Sequence, residues 1–521
     1  MTTHYDAIII GGGHNGLVAA CYLAKAGKKV LVLERYHTVG GAAITEEIHP
    51  GFRVSVASYS CSLLRPEIVA DLRLADYGFS VYPKRPSYFM PFPDGQHLIL
   101  YAESRERSKQ QIARFSQRDA AALDAWEDFW DRAGDIIEPT LMQPPISLGE
   151  LAQRFEQAGC ADDFRRIMLL SISDLVGEFF ESEHVRAAMV PQGLIGTAGG
   201  PLTPGTPYVW LYHAIGRAIG QRGVWGYVRG GMGAITQALA RAARDLGVEI
   251  RTSAPVGVVL VEHGVARGVV LENGETLRAR AVLSNADPKR TFLTLCPTNA
   301  LPVEFRARIE RNYRSAGPVY KLNLALRELP RYTAAPPDVP PEVLCRATTD
   351  IAPTVAYSER AWDDCKRGEP SREPFIEIFS QSPTDPDMVP PGQHILSCFC
   401  QYAPYEPTGR NWDDGLREQF ADRVIAKLAE YAPNVPDAII ARQMLSPVDL
   451  ERRFGLTGGN IFHGEITPDQ SFNLRPLSGF ADYRTPLDGL YLCGSGAHPG
   501  GGVTGIPGHN AAQVVLADLG A

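Results

Sequence analysis

The sequence predicts an α/β protein in which a discontinuous, Rossmann-like nucleotide-binding domain carries an inserted α+β domain. Three observations predict this class. A glycine-rich turn joins an apolar strand to a helix at the N-terminus, a second apolar strand follows at once, and a further strand, glycine-rich loop and helix close the chain. With 521 residues, the chain is long enough to bury a large core.

The first element is a βαβ unit at the extreme N-terminus. Residues Tyr5 to Ile10 are predicted as a buried strand, Leu17 to Ala26 as a helix, and Lys29 to Leu33 as a second buried strand. Between the first strand and the helix lies Gly11-Gly12-Gly13-His14-Asn15-Gly16, a G-x-G-x-x-G motif. This position between strand and helix is the one that gives the motif its meaning as a dinucleotide site.

Each glycine of the motif has a separate physical role. Gly11 permits the tight turn, Gly13 lets the backbone approach a pyrophosphate, and Gly16 lets the helix pack on the strand. The helix N-terminus offers free N–H groups and a partial positive charge to the phosphates. We therefore predict that Gly11, Gly13, Asn15 and Gly16 bind a dinucleotide cofactor.

The end of the second strand indicates which cofactor binds. Glu34 follows Gly16 by 18 residues, where its carboxylate can accept hydrogen bonds from both ribose hydroxyls and would repel a 2′-phosphate. The alternative is a surface glutamate after a glycine-rich turn. Gly40-Gly41 then supplies open backbone for a cofactor that continues into a large flat ring, which favours FAD over NAD. The predicted FAD-binding residues here are Glu34, Arg35, Gly40, Gly41 and Ala42.

The C-terminal segment repeats the pattern of strand, loop and helix. Gly489 to Cys493 is predicted as a buried strand, and the chain ends in a helix of about Ala511 to Leu519. Pro507 suits the first turn of a helix, whose N–H groups can stabilise negative charge on the N1–C2 carbonyl side of a reduced flavin. A structural glycine-rich loop is the alternative. The predicted FAD-binding residues here are Gly494, Val503, Thr504 and Gly505.

The middle of the chain is predicted as an insertion followed by a return to the nucleotide domain. From about residue 80 the pattern changes to loops and charged helical stretches. The nucleotide domain resumes with an alanine-rich helix over Gly230 to Leu246, followed by short strands and a hairpin turn at Asn273-Gly274. The strands are predicted over Val248 to Ile250, Val256 to Glu262, Val265 to Leu271 and Ala281 to Leu283. Further strands are predicted at Phe375 to Phe379 and His394 to Phe399.

Together with Gly458-Gly459-Asn460-Ile461-Phe462-His463-Gly464 and Leu474-Arg475-Pro476, these segments resemble the phytoene desaturase and amine oxidase superfamily. They are most similar to its phytoene-dehydrogenase-related branch. The resemblance implies bound FAD with Val256 near the adenine. It also implies an FAD-binding domain formed by residues 1–80, 225–290 and 455–521, and a substrate-binding domain formed by residues 81–224 and 291–454.

The catalytic residues are not predicted. His463 and His498 could transfer protons or could be satisfied by backbone, and Arg475 could anchor backbone or a substrate oxygen. No cysteine pair has redox or metal-binding spacing, so we expect no metal. Gly230-Gly231-Met232-Gly233 follows no clear strand and is interpreted as a turn and helix cap. Without a second dinucleotide motif, efficient reduction by NADH or NADPH is not expected.

Two apolar features have two interpretations each. One is an aromatic group that could line a substrate tunnel or pack in the core. Its members are Tyr208, Trp210, Tyr212, Trp225 and Tyr227. The other is the amphipathic stretch Phe164 to Phe180, which could contact a membrane surface or form a plain core helix.

Three functional hypotheses follow. The first is an FAD-dependent dehydrogenase or desaturase that transfers hydride from a hydrophobic isoprenoid or lipid substrate to flavin N5 and passes electrons to a quinone or oxygen. The second is an amine oxidase, although Gly496-Ala497-His498-Pro499 stands where that group has Gly-Glu-His-Thr. The third is a flavin-dependent isomerase or a flavin-stabilised interaction protein.

Charge and composition limit the classes of partner that the protein can bind. The net charge of −8 argues against nucleic acid. No apolar run is long enough to span a membrane, and Met1-Thr2-Thr3 leads at once into a strand, so we expect no signal peptide. With nine scattered cysteines, this composition is typical of a cytoplasmic protein, with peripheral membrane contact left open. The sequence does not predict an oligomeric state.

Overall fold

A computed structural model describes residues 4–520 of the chain. The expectation that no signal peptide is present rests partly on Met1 to Thr3, which lie outside these residues. The strands are β1 (His4–Ile10), β2 (Val30–Leu33), β3 (Thr45–His49), β4 (Phe52–Ser55), β5 (Val81–Pro83), β6 (Tyr88–Pro91), β7 (His97–Leu100), β8 (Gly226–Val228), β9 (Glu249–Arg251), β10 (Val256–Glu262), β11 (Val265–Leu271), β12 (Thr276–Ser284), β13 (Val319–Leu326), β14 (Thr348–Ile351), β15 (Phe375–Phe379), β16 (His394–Gln401), β17 (Ile439–Leu445) and β18 (Leu490–Leu492).

Seven of the α-helices of the described residues lie between β7 and β8. In chain order, the α-helices are α1 (His14–Lys25), α2 (Pro66–Asp71), α3 (Arg105–Ala113), α4 (Gln117–Leu141), α5 (Leu148–Gln157), α6 (Ala161–Leu169), α7 (Ile172–Phe179), α8 (Glu183–Met189), α9 (Thr206–Ala214), α10 (Gly233–Asp245), α11 (Val303–Asn312), α12 (Pro341–Leu344), α13 (Val355–Lys366), α14 (Asp414–Tyr431), α15 (Val435–Ala438), α16 (Pro447–Phe454) and α17 (Ile506–Asp518).

The first sheet has seven strands and is built around β1. Its order is β10-β11-β12-β1-β2-β9, and β18 pairs with the end of β12. The pairs of β1 with β2 and β12, of β2 with β9, and of β12 with β18 are parallel. Because parallel strands are covered on both faces, β2 and the second half of β1 consist of buried aliphatic residues. The α/β class with a Rossmann-like domain is confirmed.

Strands β10 to β12 add an antiparallel edge to this sheet. The predicted hairpin turn at Asn273-Gly274 joins β11 to β12, and Gly274 adopts a positive φ of 88°. Strand β12 begins at Thr276, which is earlier than the sequence predicts, because its first half pairs with β11 and its second half with β1 and β18.

The second sheet also has seven strands, in the order β17-β13-β16-β15-β14-β6-β7. Its pairs are antiparallel except for β14 with β6. Four of its strands, β6, β13, β14 and β15, are buried along their whole length, so both faces of the sheet are covered. The division of the chain into an FAD-binding and a substrate-binding domain remains a proposal, which the membership of the two sheets supports.

Several local predictions are wrong. Helix α1 begins at His14 rather than Leu17, since the helix starts inside the glycine motif. The stretch Phe164 to Phe180 is divided between two helices, because Ser171 caps α7 through its side chain. A short strand, β8, does precede Gly230, but it pairs with β5 outside the parallel sheet.

The final helix also starts earlier than predicted. It begins at Ile506 with Pro507 in its first turn, rather than at Ala511. Among residues 4–520, no helix is long and apolar enough to cross a membrane.

Candidate FAD and substrate cavity

A cavity of about 370 Å³ lies against both large sheets. Ile10 and Leu33 contribute to its wall from the first sheet, and Glu377, Phe379 and Phe399 contribute from the second. Ligand sites are commonly found in cavities of this size that lie between two structural units such as these sheets. The candidate site is therefore built from strand ends and loops that are distant in sequence.

The glycine motif forms one part of the wall. Gly11 adopts a φ of 97°, which favours glycine, and Gly11 and Gly13 line the cavity. Helix α1 follows with Gly13 at its N-cap, without a side-chain cap and without an acidic residue in its first turn. The first N–H groups of the helix are thus available to an anion at the cavity.

Gly16 lies behind this wall rather than on it. A Cβ atom at Gly16 would lie 2.3 Å from the carbonyl oxygen of Gly11, so a larger residue would push helix α1 off strand β1. Asn285, which follows β12, donates from Nδ2 to the same Gly11 carbonyl at 3.1 Å. The role predicted for Gly16 is therefore one of packing.

Glu34 lies at the end of β2 and is 93% buried, with 7% of its surface exposed. Its two carboxylate oxygens accept hydrogen bonds from the N–H groups of Gly12 and Tyr36, each at 2.8 Å. Burial raises the pKa of Glu34 above its ordinary value. Each carboxylate oxygen can accept a second hydrogen bond, and the side chain lines the cavity, so two ligand hydroxyls can be accepted here.

Arg35 and Val256 lie in the same wall as Glu34. The guanidinium of Arg35 donates to the carbonyls of Arg452 and Arg453 at 3.2 and 2.8 Å, which ties β2 to the end of α16. The N–H of Ala254 donates to the carbonyl of Glu34 at 2.9 Å, and this contact brings the start of β10 beside Glu34.

The Gly40-Gly41 pair extends the open backbone. Gly40 and Gly41 adopt φ angles of 139° and 57°, and the Gly40 N–H donates to the Gly12 carbonyl at 2.9 Å. Together with Ala42 they line the cavity beside the glycine motif. Two glycine-rich segments are thereby joined into one surface without side chains.

Of the predicted C-terminal residues, Val503 lines the cavity and three others support it from behind. A Cβ atom at Gly494 would lie 2.5 Å from the carbonyl oxygen of Asn285. The Thr504 Oγ1 accepts from the N–H of Ile506 at 3.1 Å, and Gly505 is the N-cap of α17 with a φ of 78°. These three residues shape the loop that presents Val503.

Arg475 anchors backbone, which decides between its two predicted roles. Its side chain is fully buried, and its guanidinium donates to several backbone carbonyls. The acceptors are Phe462 at 2.8 Å, Gly464 at 3.2 Å, Glu465 at 2.9 Å, Gln470 at 3.3 Å and Ser495 at 2.8 Å. Because Phe462 and Ser495 both line the cavity, Arg475 fixes two of its wall segments relative to each other.

The candidate histidines are buried. His463 and His14 line the cavity, and burial lowers the pKa of His463 to about 3 and that of His14 to about 4. His498 lies outside the cavity wall, and burial lowers its pKa to about 3. All three imidazoles are therefore neutral at pH 7, and of the three only His14 and His463 face the cavity.

The predicted aromatic group is mostly core. Of its five members, Trp225 lines the cavity. Trp210 stacks on Trp130 with ring centroids 4.1 Å apart, and the Tyr212 hydroxyl donates to the Gly501 carbonyl at 2.8 Å. Tyr208 and Tyr227 are also buried outside the wall. Of the five residues, only Trp225 lies where it could line a substrate tunnel, and this role stays a prediction.

Sequence reasoning missed the charged residues of the second sheet. Lys84 and Glu377 line the cavity, next to Tyr59, Phe379 and Phe399. A signal was present in the sequence, because a single glutamate interrupts the apolar run from Phe375 to Phe379. Such an interruption in a buried strand indicates a polar site on one face.

These features fit FAD. The glycine surface and the start of α1 offer N–H groups for a pyrophosphate, Glu34 offers acceptors for ribose hydroxyls, and the same cavity continues to an aromatic wall. The fold and site define a flavin-dependent oxidoreductase.

Comparisons with known proteins agree with this class. Residues 16–516 match the family described as flavin-containing amine oxidoreductase. The chain is 41% identical over 547 residues to rat (Rattus norvegicus) pyridine nucleotide-disulfide oxidoreductase domain-containing protein 2, covering 99% of this chain and 94% of the relative. It is 27% identical to the lycopene-forming phytoene desaturase of Pseudescherichia vulneris, covering 96% of both chains.

A solved structure supports the fold. The crystal structure of an oxidoreductase from Methanosarcina mazei superposes with a TM-score of 0.62 at 17% identity, covering 99% of this chain and 100% of the other. The protein belongs to the flavin-containing amine oxidoreductase family. It is an FAD-dependent oxidoreductase that acts on a small molecule, and the predicted resemblance to phytoene desaturases is confirmed.

Proposed function

We propose that the protein is a dehydrogenase or desaturase whose substrate is a hydrophobic molecule of the isoprenoid or lipid class. The observation that carries this proposal is that the glycine-rich wall and a mainly apolar wall face the same cavity. Apolar lining residues include Tyr59, Ile195, Trp225, Phe379 and Phe399. Such a wall binds an apolar substrate by removing its surface from water.

The residues proposed to hold FAD are those predicted from the sequence. Glu34 is proposed to accept the ribose hydroxyls, and Gly11, Gly13 and Asn15 to surround the pyrophosphate. Gly40, Gly41, Ala42 and Val503 are proposed to lie along the rest of the cofactor, and Val256 near its adenine. Arg35, Gly16, Gly494, Thr504 and Gly505 are proposed to position these segments.

Bound FAD supplies a hydride acceptor at its N5 atom. The chain's part is then to exclude water and to orient a C–H bond, which requires shape more than charged catalytic groups. The neutral His14 and His463 fit a dry site. We propose a quinone or oxygen as the final electron acceptor, and the cytoplasmic location predicted from the sequence stays a prediction.

An amine oxidase is the second candidate. One observation favours it: the Glu377 carboxyl lies in the cavity wall, where a carboxylate can bind an ammonium group. Two buried lysines, Lys84 and Lys321, lie near Glu377 and act against the binding of an ammonium group, since they carry positive charge themselves when protonated.

Anaerobic mixing of the holoenzyme with candidate substrates tests the proposal. We expect an isoprenoid hydrocarbon or alcohol to bleach the flavin absorbance, since reduction removes the visible bands of oxidised flavin. Bleaching by primary amines alone would favour the amine oxidase. Absence of bleaching by every hydrophobic compound, with intact bound FAD, would contradict the proposal.

A further inference from the structure

A buried charged cluster lies in the cavity wall contributed by the second sheet. In the ladder of this sheet, Glu377 pairs with Asp350 on one side and with Phe399 on the other, and Phe399 pairs with Lys321. Side chains of directly paired residues lie on the same face of a sheet. Lys84, which follows β5, reaches this face and donates from Nζ to the Thr348 Oγ1 at 2.9 Å. We call Lys84, Lys321, Asp350 and Glu377 the charged cluster.

The cluster is deeply buried and incompletely satisfied. The four residues of the charged cluster are each between 0% and 4% exposed. Glu377 Oε2 and Asp350 Oδ1 have no hydrogen-bond partner among residues 4–520. Lys84 has three N–H groups when protonated, and Thr348 accepts from one of them. Since an unpaired buried polar group is costly, the free positions of Glu377 and Lys84, which line the cavity, indicate that a ligand completes their hydrogen bonding.

The charges of the cluster balance. Two lysines stand against two carboxyls, and burial lowers the pKa of Lys84 and Lys321 while it raises the pKa of Asp350 and Glu377. All four groups are thus shifted toward their neutral forms. A ligand ammonium or carboxylate would add a net charge to a dry site, which is unfavourable, whereas a hydroxyl adds none.

A hydroxyl group also matches Lys84 and Glu377 in hydrogen-bonding character. Its oxygen can accept from Lys84, and its proton can be donated to Glu377. Both residues line the cavity, whereas Asp350 and Lys321 lie behind them. The surrounding surface is aromatic, since Lys84 Nζ lies 4.0 Å from the centroid of the Phe379 ring and Lys321 Nζ lies 4.2 Å from that of Tyr59.

We propose that Lys84 and Glu377 form a binding site for the neutral hydroxyl group of an otherwise apolar substrate. This inference rests on the proposed function and narrows its substrate class to apolar alcohols. A site that hydrogen-bonds a substrate hydroxyl discriminates strongly against an analogue that lacks it, because its own polar groups are then left unpaired.

Four probes with the same ten-carbon skeleton test the proposal by anaerobic calorimetric titration of the holoenzyme. They are geraniol, geranylamine, geranic acid and the hydrocarbon myrcene. We expect geraniol to bind at least roughly tenfold more tightly than myrcene, from the gain of two hydrogen bonds. Tightest binding of geranylamine or of geranic acid, or equal binding of all four, would overturn the hydroxyl site.

Variants test whether Lys84 and Glu377 are responsible for the preference for geraniol. In the double variant Lys84→Met/Glu377→Met, one positive and one negative group are removed together, so no unpaired charge is left in the wall. We expect its preference for geraniol over myrcene to fall to about onefold, since both hydrogen bonds are lost. Glu377→Gln, the milder change, should reduce the preference in part. The exposed residues Lys366 and Glu373 supply the control, Lys366→Met/Glu373→Gln, which should keep the preference of the wild type.

The visible spectrum of bound FAD reports whether each variant is folded, and unchanged geraniol preference in a folded double variant would overturn the proposal. Failure of the hydroxyl site is distinguishable from failure of the proposed function. If myrcene and geraniol bleach the flavin equally and bind equally, the enzyme oxidises apolar substrates without this site. If geraniol binds through Lys84 and Glu377 but no probe bleaches the flavin, the site stands and the proposed reaction fails.

Discussion

Asn15 Nδ2 donates a hydrogen bond to Ser495 Oγ at 3.1 Å, although the two residues are 480 positions apart in the sequence. Both side chains are buried and line the cavity. The contact joins the first turn of α1 to the loop after β18, so the N-terminal and C-terminal glycine-rich segments are held as one wall.

The first prediction concerns this contact. Ser495→Ala removes the acceptor of Asn15 Nδ2 and should weaken FAD binding or lower the stability of the holoenzyme by about 1 to 3 kcal/mol. The measurements are the Kd of FAD and the melting temperature. Ser478→Ala, at an exposed position, is the control. If Ser495→Ala behaves as this control does, the contact does not stabilise the wall.

The second prediction is that Glu34→Gln raises the Kd of FAD about tenfold to a hundredfold, because a neutral amide accepts ribose hydroxyls less well than a carboxylate does. Glu34→Ala should be worse, since the N–H groups of Gly12 and Tyr36 would also lose their acceptors. Titration of the apoprotein with FAD measures this. The exposed Glu47 provides the matched control Glu47→Gln, and equal FAD affinity in the two variants would remove Glu34 from the site.

The third prediction compares two glycines that lie near the start of a helix. Gly16→Ala should lower stability by about 1 to 3 kcal/mol, because the added methyl group would lie 2.3 Å from the Gly11 carbonyl oxygen. Gly149→Ala should be neutral or stabilising by up to about 1 kcal/mol, since Ser147 Oγ, the nearest atom to its Cβ, is 3.8 Å away. Thermal unfolding of the two holoenzymes distinguishes these outcomes, and a shared melting temperature would contradict the packing argument.

The fourth prediction is that NADH and NADPH do not reduce the flavin efficiently. Within residues 4–520, β1, α1 and β2 form the dinucleotide motif, whereas the glycines before α10 follow a strand of a separate two-stranded sheet. Cys61 is the one cysteine of the described cavity wall, so the wall lacks a cysteine pair for disulfide reduction. Stopped-flow mixing under anaerobic conditions should show slow bleaching at best. Rapid bleaching at micromolar nucleotide would reveal a second nucleotide site.

The local parts of the fold were predictable from the sequence. Strand β1, strand β2 and the Asn273-Gly274 turn are encoded by apolar runs and by a glycine at a positive φ, which are short-range signals. The sequence predicts a later start for α1 because the glycine motif has low helix propensity, whereas in the structure the first turn of the helix contains Gly16.

The charged cluster was not predictable in the same way. Glu377, Asp350 and Lys321 come from three separate strands, and their meeting depends on long-range pairing that no local pattern specifies. Period-two alternation places Phe375, Glu377 and Phe379 on one face, but the sequence does not say which face meets the cavity. Lys84 reaches the same place from a loop, for which no periodicity exists.

The fifth prediction concerns pH. Burial lowers the pKa of His498 to about 3 in the folded protein, against an ordinary value of about 6.5 in the unfolded chain. Between these two values the unfolded state binds a proton that the folded state does not, so stability falls as the pH falls. The slope for one group is about 1.4 kcal/mol per pH unit, and above about pH 7 the contribution is constant.

Other ionisable groups titrate in the same pH range, and their contributions cancel when the wild type is compared with a variant of His498. His498→Gln should therefore lose stability less steeply than the wild type between about pH 6.5 and pH 4.5, by roughly 2 to 3 kcal/mol over that interval. Melting temperatures measured across this range, with the exposed His49→Gln as control, test the difference. Parallel curves for the wild type and His498→Gln would mean that His498 is not buried in its neutral form.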